Sequence, residues 1–95
     1  MAAYIVFTRT KTLDKKELET YQNLIKDTID GHPMEVLVSY GVFEVLEGRP
    51  IEGIVIARFP DGDSAKKWYS SDAYQNASKH RYNGALYDGI LVEGH

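Results

Sequence analysis

Two arginines interrupt apolar strand patterns, and their placement implies chemistry more directly than any other feature of the chain. Arg9 follows Ile5 and Phe7 at two-residue spacing, and Arg58 follows the isoleucines of 54–56 in the same way. A guanidinium group among apolar side chains must be paired with an anion or reach water. Because arginine binds carboxylates through a planar pair of donors, two such side chains in one pocket predict a site for a small carboxylate or phenolate.

The alternative for these arginines is structural: both lie at strand ends, in water or bridged to Glu44 or Glu47. Two further residues are candidates for ligand contact. Tyr40 stands beside a glycine that interrupts a strand pattern, where a kink is expected. His32 follows the end of a predicted helix, where the helix dipole favours an imidazolium, so it is either an exposed cap residue or an acid–base group. The candidate ligand-binding residues are therefore Arg9, Arg58, Tyr40 and His32.

No pattern for a metal ion, a nucleotide or a cysteine nucleophile accompanies these candidates. The chain has no cysteine, and none of its three histidines has a second metal ligand at helical spacing. Its glycines match neither a phosphate-binding loop nor a dinucleotide fingerprint. We therefore expect neither a metal ion nor a cofactor.

Length and charge narrow the class of protein. The chain has 95 residues, which predicts one domain over 1–95, and its 14 acidic against 11 basic residues do not favour nucleic-acid binding. Residues 1–7 carry no basic segment, and their apolar run is far shorter than the roughly 20 residues that span a membrane. With no cysteine to form disulfides, these features predict a cytoplasmic protein that binds neither nucleic acid nor membrane.

Apolar spacing along the chain predicts the elements that must position these residues. Asp14 and Glu17 form a capping-box pattern at the start of the first helix. Asp61 or Asp63 can cap the second helical segment, and the serines at 70–71 offer a further cap, so this segment should be two abutting helices. The predicted strands cover residues 3–10, 34–47, 51–59 and 86–92, and the predicted helices cover 15–30, 63–69 and 72–81.

The order of these elements, β-α-β-β-α-β, predicts a ferredoxin-like α+β fold with a four-stranded antiparallel sheet and its helices on one face. The strands are apolar on both faces, so the second face also needs cover. A second copy of the chain is the simplest partner. Two sheets packed face to face would form a dimeric α/β barrel, with concave space between them for a small ligand.

Several segments together resemble one family. They are Val42 to Gly48, Phe59-Pro60, Trp68 to Gln75, Arg81 and Leu91 to Gly94. In order and spacing they resemble the family called domain of unknown function 1330, in the dimeric α/β-barrel superfamily, over essentially the whole chain. The resemblance implies the same fold and a homodimer. The segment 31–33 departs from the family pattern, which has a glycine pair before the second strand.

Enzymes of that superfamily include cofactor-independent monooxygenases, muconolactone-isomerase-like proteins, haem-degrading enzymes and chlorite dismutases, but none of their catalytic sets matches residues of this chain. We therefore predict a protein that binds or transforms a small aromatic or acidic molecule, without a cofactor, in the cleft of a homodimeric barrel. A structural or regulatory homodimer without catalytic activity is the alternative. Arg81 is expected to tie the second helical segment to the body of the domain.

Overall fold

Seven elements follow one another in residues 1–95, all of which the computed structural model describes. They are β1 (Ala3–Thr12), α1 (Lys15–Thr28), β2 (Glu35–Ser39), β3 (Gly53–Phe59), α2 (Gly62–Ser70), α3 (Asp72–Gly84) and β4 (Ala85–Glu93). The predicted α+β fold with one four-stranded antiparallel sheet is confirmed. The second helical segment consists of two abutting helices, as its two capping signals indicate.

The strand order in the sheet is β2-β3-β1-β4, so β1 and β3 are central and β2 and β4 are edges. Ile5 lies opposite Ala57 on β3 and Leu91 on β4, and the neighbouring Val6 lies opposite Ile56 and Ile90. Successive residues of a strand point to opposite faces. One face, here called the helix side, contains Ile5 and Ala57 and is covered by the helices; the other is called the open face.

Side-chain caps define where the helices begin. Asp14 Oδ1 accepts a hydrogen bond from the Lys16 amide at 3.0 Å, and Asp61 Oδ1 accepts one from the Ser64 amide at 2.7 Å. The capping box at α1 is only half formed. The Asp14 amide donates to the Gly84 carbonyl, and Glu17 contacts His80 Nδ1 at 2.6 Å instead of turning back to its own helix. Contacts with α3 therefore replace the hydrogen bond that the Glu17 side chain would accept from the Asp14 amide in a complete capping box.

An aromatic cluster fills the space between the helices and the sheet. Trp68 and Tyr74 are both fully buried, with ring centroids 4.1 Å apart, and Phe59 lies 5.8 Å from Trp68. The Trp68 indole donates to Thr28 Oγ1 at 3.2 Å, and the hydroxyl groups of Tyr21 and Tyr74 are 3.2 Å apart. The polar atoms of these large rings thus have partners inside the core, which limits the cost of burying them.

The second strand is much shorter than its sequence pattern predicts. The prediction of a kinked strand over 34–47 is wrong beyond Ser39, because Tyr40 adopts a left-handed backbone conformation with φ 53° and ends β2. Residues 40–52 form an irregular excursion before β3 begins at Gly53. Val42 and Leu46 in this excursion are almost completely exposed. The apolar alternation of the segment thus has no covering partner within the chain.

The open face of the sheet is also apolar. Ile90 and Val92 of β4 are 61% and 49% exposed, and they continue a surface formed by Val6 and Ile56. No helix of the chain combines the length and the apolar character that crossing a membrane requires.

Candidate functional site

A cavity of about 320 Å³ lies between α1 and the helix side of the sheet. It is here called the α1 cavity. Helix α1 contributes Tyr21 and Ile25 to its wall, strand β3 contributes Val55 and Ala57, and Trp68 of α2 lies at its base. Apolar and aromatic side chains dominate the lining, and Lys26 is the only charged residue in it. A preformed apolar space with a few polar groups is the usual form of a small-molecule site.

Tyr40 is held at this cavity in a strained conformation. Its φ of 53° is sterically unfavourable for a residue with a side chain, and its amide donates to the Ile54 carbonyl at 2.9 Å. The ring lies against Gly53, where an added Cβ would be 2.5 Å from Tyr40 Cδ1. Strain of this kind costs roughly 1–3 kcal/mol and is concentrated at functional sites. The conformation therefore marks Tyr40 as a candidate functional residue.

A hydroxyl pair and a cation hold the Tyr40 side chain in place. Its hydroxyl group is hydrogen-bonded to that of Tyr87 on β4, and both residues line the α1 cavity. The Arg9 guanidinium carbon lies 4.8 Å from the centroid of the Tyr40 ring. Arg9 Nε is in turn 3.3 Å from Glu52 Oε1, which also accepts a hydrogen bond from Thr12 at 2.6 Å. Arg9 thus packs against Tyr40 and is not among the residues that line the cavity.

The hydroxyl groups of Tyr40 and Tyr21 in the α1 cavity remain protonated at neutral pH. Burial raises the pKa of Tyr40, and the hydrogen bond with Tyr87 raises it further. Burial also raises the pKa of Tyr21, with an additional contribution from Tyr74. These phenols can therefore exchange hydrogen bonds with a ligand, but they are not poised to remove a proton from one.

The four sequence-predicted site residues divide into two groups. Tyr40 lines the α1 cavity and Arg9 packs against the Tyr40 ring, whereas Arg58 and His32 line a separate shallow groove at the start of β2. Arg9 lies opposite Gly53 in the sheet register, and Arg58 is five residues further along the same strand, so the two arginines are on opposite faces. The structure does not bring two guanidinium groups into one pocket. The expected partners Glu44 and Glu47 are also replaced, since Arg9 pairs with Glu52.

Sequence reasoning missed Tyr87 and Gly53. Tyr87 comes to the cavity because the β1–β4 register places it opposite Arg9, and no local pattern in residues 85–93 indicates this. Gly53 did carry a signal, since a glycine inside an apolar strand often marks close approach of another group. Here the group that approaches is the ring of Tyr40.

Comparison with known proteins supplies a family and a fold. The family model described as domain of unknown function (DUF1330) matches residues 2–95. No curated protein matches the sequence significantly.

Solved structures of the same fold share little sequence with this chain. A protein of unknown function from Rhodopseudomonas palustris is similar at a TM-score of 0.77 and 16% identity, covering 99% of this chain and 82% of that one. A dimeric ferredoxin-like protein of unknown function from Thermobifida fusca is similar at a TM-score of 0.68 and 11% identity, covering 99% and 92%. SnoaB, a cofactor-independent oxygenase from Streptomyces nogalater, is similar at a TM-score of 0.64 and 9% identity, covering 99% and 93%. At these identities the likeness shows the fold alone.

Proposed function

This chain belongs to the DUF1330 family, and we propose that it is a homodimeric protein that binds a small aromatic molecule in the α1 cavity. The observation that carries the proposal is the preformed apolar cavity with Tyr40 held at it in a strained conformation. The ligand would be largely apolar and planar, with a hydroxyl or carbonyl group that reaches the paired hydroxyls of Tyr40 and Tyr87.

The lining favours binding over catalysis. None of the side chains around the α1 cavity is a carboxylate or an imidazole, so the cavity has no conventional general base. Similarity of fold to an oxygenase does not supply one, because function depends on the site and not on the fold. A protein that carries or senses an aromatic molecule fits this lining.

The α1 cavity is on the helix side of the sheet, whereas the sequence led us to expect a ligand in the cleft between two sheets. Val55 and Ile54 distinguish these locations, because they are neighbours on β3 that point to opposite faces. Val55 lines the α1 cavity and Ile54 lies on the open face. A larger side chain at position 55 therefore obstructs the α1 cavity and leaves the cleft between the sheets unchanged. A larger side chain at position 54 has the opposite effect.

The experiment uses Trp68 as its reporter, since it is the only tryptophan and lies at the base of the α1 cavity. Its single indole N–H resonance is followed by ¹H–¹⁵N NMR during titration with 2-naphthol. We expect a saturable shift in the native protein and in Ile54→Phe, and at least tenfold weaker binding in Val55→Phe. Circular dichroism checks that both variants fold. Loss of binding in Ile54→Phe alone would move the site to the cleft between sheets, and no binding at all would favour the structural homodimer.

The proposal of a homodimer depends on a separate feature, the apolar open face of the sheet. Ile90, Val6 and Ile56 form its centre, and the similar Thermobifida fusca protein is described as dimeric. The face is proposed to pack against the same face of a second copy. We expect Ile90→Glu to be monomeric by analytical ultracentrifugation and Leu13→Glu, at a similarly exposed apolar residue outside the sheet, to remain dimeric. A dimer that persists in Ile90→Glu would contradict this interface.

A further inference from the structure

A second cavity, of about 440 Å³, lies on the other side of the core from the α1 cavity. Strand β4, helix α2 and helix α3 surround it, and it is here called the β4 cavity. Phe7 and Tyr87 line both cavities and form the wall between them. The apolar part of its lining includes Ile5 and Leu91, and its charged part consists of Arg81 and Lys66.

Arg81 is a buried cation without an anionic partner. The residue is only 4% exposed, and its Nε atom is buried with no hydrogen-bond partner. The two ion pairs of the chain join Arg9 to Glu52 and His80 to Glu17, so neither involves Arg81. A buried charge is normally compensated by an opposite charge, because removing it from water is costly.

Aromatic rings supply part of the compensation. The Arg81 guanidinium carbon lies 4.9 Å from the ring centroid of Phe7, 4.7 Å from that of Tyr82 and 5.1 Å from that of Tyr87. Cation–π contacts with these faces stabilise the charge, and they leave the buried Nε–H donor of the guanidinium without a hydrogen-bond partner. The rings therefore fix the position of Arg81, and its Nε–H donor remains free to bind a carboxylate.

The electrostatics of the β4 cavity favour an anion. No aspartate or glutamate lines it, whereas two cations and three tyrosines do. The pKa of Tyr82 is lowered by its hydrogen bond with Tyr69 and by the nearby Arg81 charge, whereas the same hydrogen bond raises the pKa of Tyr69.

We propose that the β4 cavity binds a small organic carboxylate, with the carboxylate group on Arg81 and an apolar, preferably aromatic, body against Ile5 and Leu91. A carboxylate provides the missing anion and accepts two parallel N–H donors from one guanidinium. Lys66 adds a second positive charge at the same cavity. This site is independent of the proposed function, since the wall of Phe7 and Tyr87 separates the two cavities.

The test follows the Nε–Hε resonance of Arg81 by ¹H–¹⁵N NMR in the native protein during titration with benzoate. Benzamide, which has the same shape without the charge, is titrated in parallel. We expect a saturable shift with benzoate and at least tenfold weaker binding of benzamide. No shift with benzoate, or equal affinity for the two compounds, would overturn the proposal, and an equal shift with chloride would reduce the site to one for any small anion.

Variants assign the effect to the β4 cavity. Lys66→Gln removes the second cation of this cavity, and Lys26→Gln removes the only cation of the α1 cavity, so the two form a matched pair. We expect benzoate affinity to fall severalfold in Lys66→Gln and to be unchanged in Lys26→Gln. Arg81→Met should lose at least tenfold, and Arg81→Lys should lose less. If Arg81→Met fails to fold, the titration of the native protein and the comparison of Lys66→Gln with Lys26→Gln still test the proposal. Equal benzoate affinity in these two lysine variants would contradict a site in the β4 cavity.

Discussion

The ring of Tyr40 occupies the space that a side chain at position 53 would need. A Cβ at Gly53 would lie 2.5 Å from Tyr40 Cδ1 and 2.9 Å from Cε1, closer than real carbon atoms approach. Gly53 does not have a positive φ, so its requirement for glycine is steric and not conformational. The left-handed backbone of Tyr40 and the absence of a side chain at position 53 are therefore parts of one arrangement, which places the Tyr40 ring at the α1 cavity.

Gly53→Ala should displace Tyr40 from the strand. We expect a loss of about 1–3 kcal/mol in the free energy of unfolding, as for overpacking elsewhere, with weaker 2-naphthol binding. Urea denaturation measures the first effect and the Trp68 indole titration the second. Gly41→Ala is the control, since its added Cβ would meet only Val38 at 4.0 Å. Equal effects at both glycines would disprove the steric role of position 53.

The hydrogen bond between the Tyr40 and Tyr87 hydroxyl groups should couple the two residues energetically. We expect Tyr40→Phe and Tyr87→Phe each to cost about 1 kcal/mol of unfolding free energy. The double variant should cost less than the sum, with a coupling of about 0.5–1.5 kcal/mol. Tyr4→Phe combined with Tyr40→Phe should be additive, because Tyr4 lies on the open face. Additivity in both cycles would mean that the hydroxyl pair contributes nothing.

Thr28 provides the only hydroxyl that the Trp68 indole N–H contacts. Thr28→Val keeps the shape and leaves this buried donor without a partner, so we expect a loss of about 1–3 kcal/mol. Thr28→Ser retains the hydroxyl group and should recover most of that loss. The indole N–H chemical shift should change in the valine variant and stay near the native value in the serine variant. A native shift in Thr28→Val would show that the hydrogen bond is absent.

Alkaline pH should destabilise the protein through its buried tyrosines. Burial raises the pKa of Tyr21 in the folded chain above its unfolded value of about 10. Above pH 10 the folded state therefore binds more protons than the unfolded state, and stability falls as pH rises. Each such group contributes a slope that rises with pH and approaches about 1.4 kcal/mol per pH unit once the unfolded tyrosine is fully ionised.

Tyr21→Phe removes one of these groups. It should be less stable than the native protein at pH 8, because it loses the hydroxyl contact with Tyr74. Between pH 10 and 11, however, its unfolding free energy should fall less steeply, by about 1 kcal/mol per pH unit. Urea denaturation at several pH values measures the slope, and an unchanged slope would show that Tyr21 ionises as readily when folded as when unfolded.

The sequence by itself determined the elements and the fold class, because these depend on local patterns. Apolar alternation defined β1 and β3, an apolar run indicated β4, and the capping side chains at Asp14, Asp61 and Ser71 mark where the helices begin. It also identified Arg9 and Tyr40 as candidates, since a charge in an apolar strand and a tyrosine at a kink are both visible in one dimension. The end of β2 was not predicted correctly, because the strand-like sequence pattern continues past Tyr40. Pairing of β2 with β3, however, ends at Ser39, opposite Val55.

Only the tertiary structure decided which candidates share a site. The β1–β3 register separates Arg9 from Arg58 onto opposite faces, and the β1–β4 register brings Tyr87 to Tyr40. Of the three aromatic rings around Arg81, those of Tyr82 and Tyr87 are near it in sequence, but that of Phe7 comes from β1, so the complete cluster depends on packing between distant elements. Local patterns determine which way a side chain points along its own strand or helix, but register and packing determine what it meets. For this reason both cavities, and the unpaired cation in one of them, became visible only in three dimensions.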